Sequence, residues 1–183
     1  MDPPSGVDLL TLDAFPDDLA QDLVAQLSRR VSVPCRLLDG HEPSELPWIQ
    51  GRDQADADKL LAQLEERAGA DGTVLVGMTQ VDLGNPIFTF FFGRARQHGR
   101  AALVSLARLA PGFYGLPDDR ALTIRRATLE IVHELGHVIG LPHCRDFACV
   151  MHFAATVESI DTRGSGLCGR CAENAPAVLL EIT

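Results

Sequence analysis

"HELGHVIGLPHCRDFACVM", residues 133–151, decides how this chain is to be read. Three of its six histidines fall between His133 and His143, and two cysteines follow at once. His133 and His137 stand at i and i+4, so on a helix both imidazoles leave one face, about one turn apart. That spacing lets two nitrogens hold one zinc ion at ~2.0–2.1 Å. Glu134, beside the first ligand, is free to lean over the metal and take a proton from zinc-bound water, the work of a general base. Gly140 lacks a Cβ, so it can stop the helix in a left-handed turn and send the chain back. Pro142 stiffens the return, and His143 then reaches the same metal. Three histidines leave the fourth position open to water, as a catalytic zinc requires. A polar-faced helix could carry two histidines one turn apart by chance, but the added glycine and third histidine at these offsets argue against chance.

Cys144 follows His143 directly, and adjacent side chains outside a helix point apart, so Cys144 is poorly placed for the histidine-held metal. Cys144, Cys149, Cys168 and Cys171 instead supply four thiolates, the ligand count of a closed structural zinc. The "CGRC" turn is the more specific half of that set, and the x4 spacing the looser. Disulfides and a redox-active C-x-x-C are the competing readings. A redox pair usually opens a helix, and "CGRCAENAPA" has a weak helical continuation. Zinc is favoured, with the role of fixing the loop after His143. Cys35, the fifth cysteine, stands in an apolar run where a buried inert thiol is expected.

Working outward, the helix that carries the histidines starts between Asp118 and Leu122 and runs to about Ile139. Its apolar stripe is Ile124, Ala127, Ile131, Leu135 and Val138. Upstream, Asp17 to Arg30 and Asp53 to Ala68 read as amphipathic helices. "VPCRLL" (33–38) and "TVLVGMT" (73–79) read as strands. "IFTFFFGRAR" and "AALVSLARL" flank a "QHG" turn and suggest an antiparallel hairpin. Pro43 and Pro47 mark a loop that pins Trp48 to the core. Helices interleaved with strands indicate an α/β layer fold. The chain suits one domain, with an N-terminal lobe (1–140) and a small C-terminal lobe (141–183) held by metal rather than by a large core.

Composition narrows the function classes. Hydrophobic residues make up 46% and charged residues 22%, enough apolar material for a core that does not depend on metal. The net charge is −9, and the densest basic stretch is Arg94, Arg96, His98 and Arg100, which reads as a solvated hairpin. Both observations argue against a nucleic-acid partner. No apolar run approaches the ~20 residues that cross a bilayer, and the first residues lack the pattern of a secretory signal. A cytoplasmic protein, with a monomer favoured, is the expectation.

H-E-x-x-H-x-x-G-x-x-H resembles the metzincin zinc proteases, and the added H-C-x4-C-x-M … C-x-x-C looks like one branch of them, the archaemetzincins. The matching residues are His133, Glu134, His137, Gly140, His143, Cys144, Cys149, Met151, Cys168 and Cys171. The resemblance implies a metzincin-like α/β fold, with a mixed sheet, packed helices and a cleft between lobes. It implies two zinc ions, one catalytic on the three histidines and one structural on the four cysteines. It also implies that Met151 forms a methionine turn, a hydrophobic floor beneath the first metal rather than a ligand. His152 is taken as structural, His41 and His98 as loop residues without a role, and Tyr114 as a weak candidate for orienting substrate.

The leading expectation is zinc-dependent hydrolysis of peptide bonds in short peptides or unfolded segments, with Glu134 as base. Substrate would add as a strand at a sheet edge in the 87–93 region. The alternative is a zinc-containing module that binds peptide or protein with little or no turnover. A purely structural zinc domain or nucleic-acid module comes third.

Overall fold

The computed structural model describes residues 4–38 and 46–175; His41 and Pro43 lie outside them. In chain order the elements are β1 (Gly6–Thr11), α1 (Asp17–Leu27), β2 (Cys35–Leu37), β3 (Ala55–Asp56), α2 (Ala57–Arg67), β4 (Thr73–Thr79), β5 (Leu83–Gly84), β6 (Gly93–Ala95), β7 (Ala101–Ser105), α3 (Arg120–Val138), α4 (Val157–Thr162) and α5 (Gly169–Asn174).

Five strands form one sheet in the order β2-β1-β4-β7-β6. The first four run parallel, and β6 pairs antiparallel with β7 at the edge. The two-residue alternation of a strand sorts its side chains between two layers. Val7, Leu9, Val74, Val76, Met78, Ala102 and Val104 face α1 and α3. Leu10, Leu75, Ala101 and Leu103 face α2. With helices on both faces, the strands are buried on both sides and read as near-continuous apolar runs.

The helices begin where local chemistry starts them. Asp56 accepts from the amides of Asp58 and Lys59, so α2 starts at Ala57 rather than at the expected Asp53. Asp119 accepts from the Leu122 amide and starts α3. The expected stripe of α3 is buried, but so are Thr123, Arg126, Thr128, Leu129, Glu130, Val132, His133 and Glu134. α3 is therefore covered nearly all round. No helix among the described residues is long and apolar enough to cross a membrane.

Three expectations need correction. Trp48 is not pinned to the core but 56% exposed, held there by a bridge to Ala55. The first strand of the hairpin is only β6, not the whole of 87–96. Asn85 accepts from the amides of Ile87 and Phe88, while Arg52 donates to the carbonyls of Asn85, Phe88 and Thr89. Those side chains take backbone groups that a strand would use, so residues 85–90 form an aromatic loop instead. Cys35 is half-buried rather than buried, with its thiol pushed up by partial burial. Beyond these, Leu141, Val150, Met151, Val157 and Ile160 belong to the same buried cluster as α1 and α3. The segment after Gly140 thus shares the main core.

Candidate active site

α3 delivers His133 and His137 from one face, and the turn after it delivers His143. Gly140 has φ of +96°. Its amide donates to His137 O at 2.9 Å, and the Leu141 amide donates to Gly136 O at 2.9 Å. This pair of bonds closes the helix in a Schellman turn. A Cβ on Gly140 would lie 2.2 Å from Cε1 of His98, so the hairpin tip also packs directly on the turn.

The three imidazoles converge. Ring centroids lie 4.7 Å apart for His133–His137, 4.7 Å for His137–His143 and 5.3 Å for His133–His143. His133 Nδ1 lies 2.8 Å from Val150 O, and His137 Nδ1 lies 2.8 Å from Leu141 O. A carbonyl can only accept, so each Nδ1 carries the proton and each Nε2 is left with a bare lone pair. The two Nε2 atoms are 3.1 Å apart. Two lone pairs facing one another at that distance call for a cation between them. All three histidines can bring one ligand nitrogen each within 4.8 Å of one another. Burial pushes all three below the ordinary imidazole value, His133 most strongly, which keeps them neutral and ready to ligate.

Glu134 is buried at the wall of the same cleft. A Cβ on Gly93 would lie 2.6 Å from Glu134 Oε1, so the carboxylate rests against the backbone of the edge strand β6. Burial pushes the Glu134 carboxyl well above the usual range, and the neighbouring Glu130 carboxylate pushes the same way. The cleft holds about 670 Å³ and is lined by an aromatic wall from Phe88 to Phe92, by Phe153 and Pro142 opposite, and by the histidines. Phe153 packs 5.1 Å from His143.

Met151 is fully buried, and a Cβ on Gly136 would lie 2.2 Å from its Sδ. The methionine therefore packs on the α3 backbone at Gly136, in the turn that separates the first two histidines. His152 is a structural residue, with Nδ1 bonded to Cys144 O at 3.0 Å. Tyr114 is not brought to the cleft; its hydroxyl donates to Arg108 O.

The four cysteines gather in a second cluster, with their sulfurs within 4.8 Å of one another and Cys144 to Cys168 at 3.7 Å. All are free thiols. Amides of Asp146 and Cys168 donate to the sulfurs of Cys144 and Cys149 at 3.4 Å each. The amide of Cys171 holds the Cys168 thiol down at about 7, whereas burial pushes Cys149 and Cys171 up. A dication held among the four sulfurs would let them ionise together. The C-x-x-C does open a short helix, α5, the placement usual for a redox pair. What separates the readings is the convergence of Cys144 and Cys149 on the same point.

Sequence reasoning missed Gly93, Glu130 and Arg163. Only Glu130 left a trace, as a charge one turn before Glu134 on the ligand face of α3. Arg163 donates to Glu130 Oε2 at 2.6 Å, and both side chains are almost wholly buried.

Residues 14–176 match the model of peptidase family M54. An archaemetzincin of Thermococcus kodakarensis is 45% identical over 111 residues, which are 61% of this chain and 59% of that protein. The chain thus spans a little over half the length of that curated relative. A zinc-dependent peptidase from Methanocorpusculum labreanum has a similar structure, with a TM-score of 0.79 and 26% identity over 92% of this chain and 99% of that one. An archaemetzincin from Archaeoglobus fulgidus, complexed with malonate, gives a TM-score of 0.78 and 27% identity, again over 92% and 99%.

Proposed function

Since this chain belongs to peptidase family M54, the archaemetzincins, we propose that it is a zinc-dependent metallopeptidase that hydrolyses peptide bonds at the histidine cleft. The observation that carries the reading is the pair of Nε2 lone pairs facing each other at 3.1 Å, with both Nδ1 atoms committed to carbonyls. His133, His137 and His143 would hold the catalytic zinc, and Cys144, Cys149, Cys168 and Cys171 a structural one. A zinc ion on three histidines supplies a Lewis acid that polarises a carbonyl and makes water acidic near neutrality.

The chain's own residues do the rest. Glu134 accepts the proton of the attacking water and passes it to the leaving amine. Its burial suits this double task, because a raised pKa keeps the carboxylate basic enough to take the proton and acidic enough to return it. The outer edge of β6, rather than the 85–90 loop before it, is the place for an extended substrate backbone, since β6 ends the sheet among the described residues and lies against Glu134. The aromatic wall excludes water from the cleft and receives apolar side chains.

The test is cleavage of a diverse peptide library by zinc-loaded protein, read by mass spectrometry beside Glu134→Gln. Cuts made by the unmutated protein and lost in the variant are the expected result. Equal cutting by Glu134→Gln removes Glu134 from the mechanism. Tight peptide capture without cuts, with zinc present in both samples, would replace the enzyme with a binding module.

A further inference from the structure

Beside a looser contact of 3.7 Å between the exposed Arg125 and Asp161, two short arginine–carboxylate pairs clasp α4 and its exit to α3. In the first, Arg126 of α3 holds Asp161 through two bonds of 2.8 and 2.6 Å, and a third bond runs to Leu109 O. In the second the charges are reversed. Glu130 of α3 pairs with Arg163, the residue that ends α4. The first pair is partly exposed through Asp161, whereas side chains of the second are 6% and 1% exposed. A buried ion pair contributes little net stability, because desolvation offsets the attraction. Arg163 is costlier still, since its Nε is buried without a partner among the described residues. The first pair already docks α4, so the second requires another reason.

Its surroundings supply one. Arg163 Nη1 lies 3.4 Å from His152 O and 3.4 Å from His133 Nδ1. His133 Nδ1 is oriented by Val150 O, two residues before His152 in the same turn, with Met151 between them. The next residue, Gly164, is wedged against the backbone of Ala148, where a Cβ would lie 1.7 Å from the carbonyl oxygen. The Val150 amide donates to Gly166 O at 2.7 Å. One guanidinium thus spans from the ligand helix to the turn that orients the first ligand histidine.

We propose that Arg163, locked by Glu130, is a positioning residue for the histidine metal site: it clamps the 150–152 turn to α3 and so fixes the carbonyl that aims His133. The inference rests on the metal-site reading above and assigns Arg163 no contact with substrate. Removing a partner that orients a ligand typically costs ~10–100-fold in metal affinity.

The test is titration of metal-free protein with cobalt(II), followed spectroscopically. Cobalt on cysteines gives intense thiolate charge-transfer bands, and cobalt on histidines gives only weak d–d bands, so the two sites are read separately. Arg163→Met is expected to weaken the histidine site ~10–100-fold while leaving the cysteine site within about threefold of the unmutated protein. Arg163→Lys keeps the charge but loses the planar fork, and restores only part of the loss. Arg126→Met, which opens the other pair, lowers the unfolding midpoint without a selective loss at the histidines. Should Arg163→Met fail to fold, Glu130→Gln combined with Arg163→Met removes both buried charges and is read in the same way.

A histidine site unchanged within threefold in the Arg163 variants overturns the proposal, as does an equal loss in Arg126→Met or at both metal sites. Unmutated protein that takes no cobalt on its histidines overturns this proposal and the metal reading together. Normal cobalt uptake with no peptide cleavage overturns the hydrolytic reading alone.

Discussion

Gly93 and Gly136 are the single positions at which one added methyl reports most about the site. Each is a glycine because another residue occupies the space a Cβ would fill, Glu134 at the first and Met151 at the second. Gly93→Ala should displace the Glu134 carboxylate and lower kcat at least tenfold, while the histidine site keeps its metal. Parallel peptide turnover and metal analysis check this, and unchanged kcat would show that Glu134 has room to spare. At Glu134 itself the expectation is the reverse of an ordinary surface carboxylate. Burial disfavours its charge, so replacement by the neutral glutamine should stabilise the metal-free protein while abolishing turnover.

The elements decide the pH response and the placement of the third ligand. α3 buries His133 and half-buries His137, the exit turn leaves His143 at the surface of the cleft, and all three are held below the ordinary imidazole value of ~6.5. Below that pH the unfolded chain binds more protons than the folded one, so these groups make stability fall as the pH drops. Glu134 works against them. Its raised value lets the folded chain keep a proton that the unfolded chain releases above ~4.3, so its contribution grows as the pH drops toward that value. The histidines alone would make the urea midpoint of chelated protein fall between pH 7 and pH 5. Glu134→Gln removes the opposing group and should show that fall; a midpoint of the variant that rises on acidification would contradict the assignment. At the helix exit, Gly140→Ala places a side chain at positive φ, which costs ~1–2 kcal/mol before its clash with His98. Its lower unfolding midpoint should come with loss of metal from the histidine site, since the same turn carries His143.

Across the whole molecule, two clusters of ligands hang on one hydrophobic core, and the loop from Cys144 to His152 belongs to both. The Cys144 amide donates to Met151 O at 2.8 Å, and Cys149 lies two residues before Met151 in the same loop. Metal analysis of the protein as purified should therefore find two zinc ions per chain. Cys171→Ser should lose the cysteine-held ion first and then weaken the histidine site, because the shared loop is no longer tied down. If Cys171→Ser leaves both ions in place, the four-thiolate site is wrong. The fold itself should outlast chelation, since the sheet and its helices bury their own apolar faces.

By itself the sequence determined what is local. The ligand spacing on α3, the glycine stop, the turn to His143, the separation of Cys144 from His143, and the strand Thr73–Thr79 all follow from helix and strand periods and from the freedom of glycine. Membership of the archaemetzincin family was legible in the same residues. The tertiary structure decided what depends on meeting across the chain. β1 escaped the sequence reading because its six residues, buried on both faces except at Asp8, carry no alternation to mark them. Residues 87–90 left the hairpin because Arg52, more than thirty residues away in sequence, claims the carbonyls of Asn85, Phe88 and Thr89. Glu130 and Arg163 are separated by 33 residues, and nothing in either one's neighbours names the other. A periodic pattern is written in adjacent residues, but the partner of a buried charge exists only once the chain has closed around both.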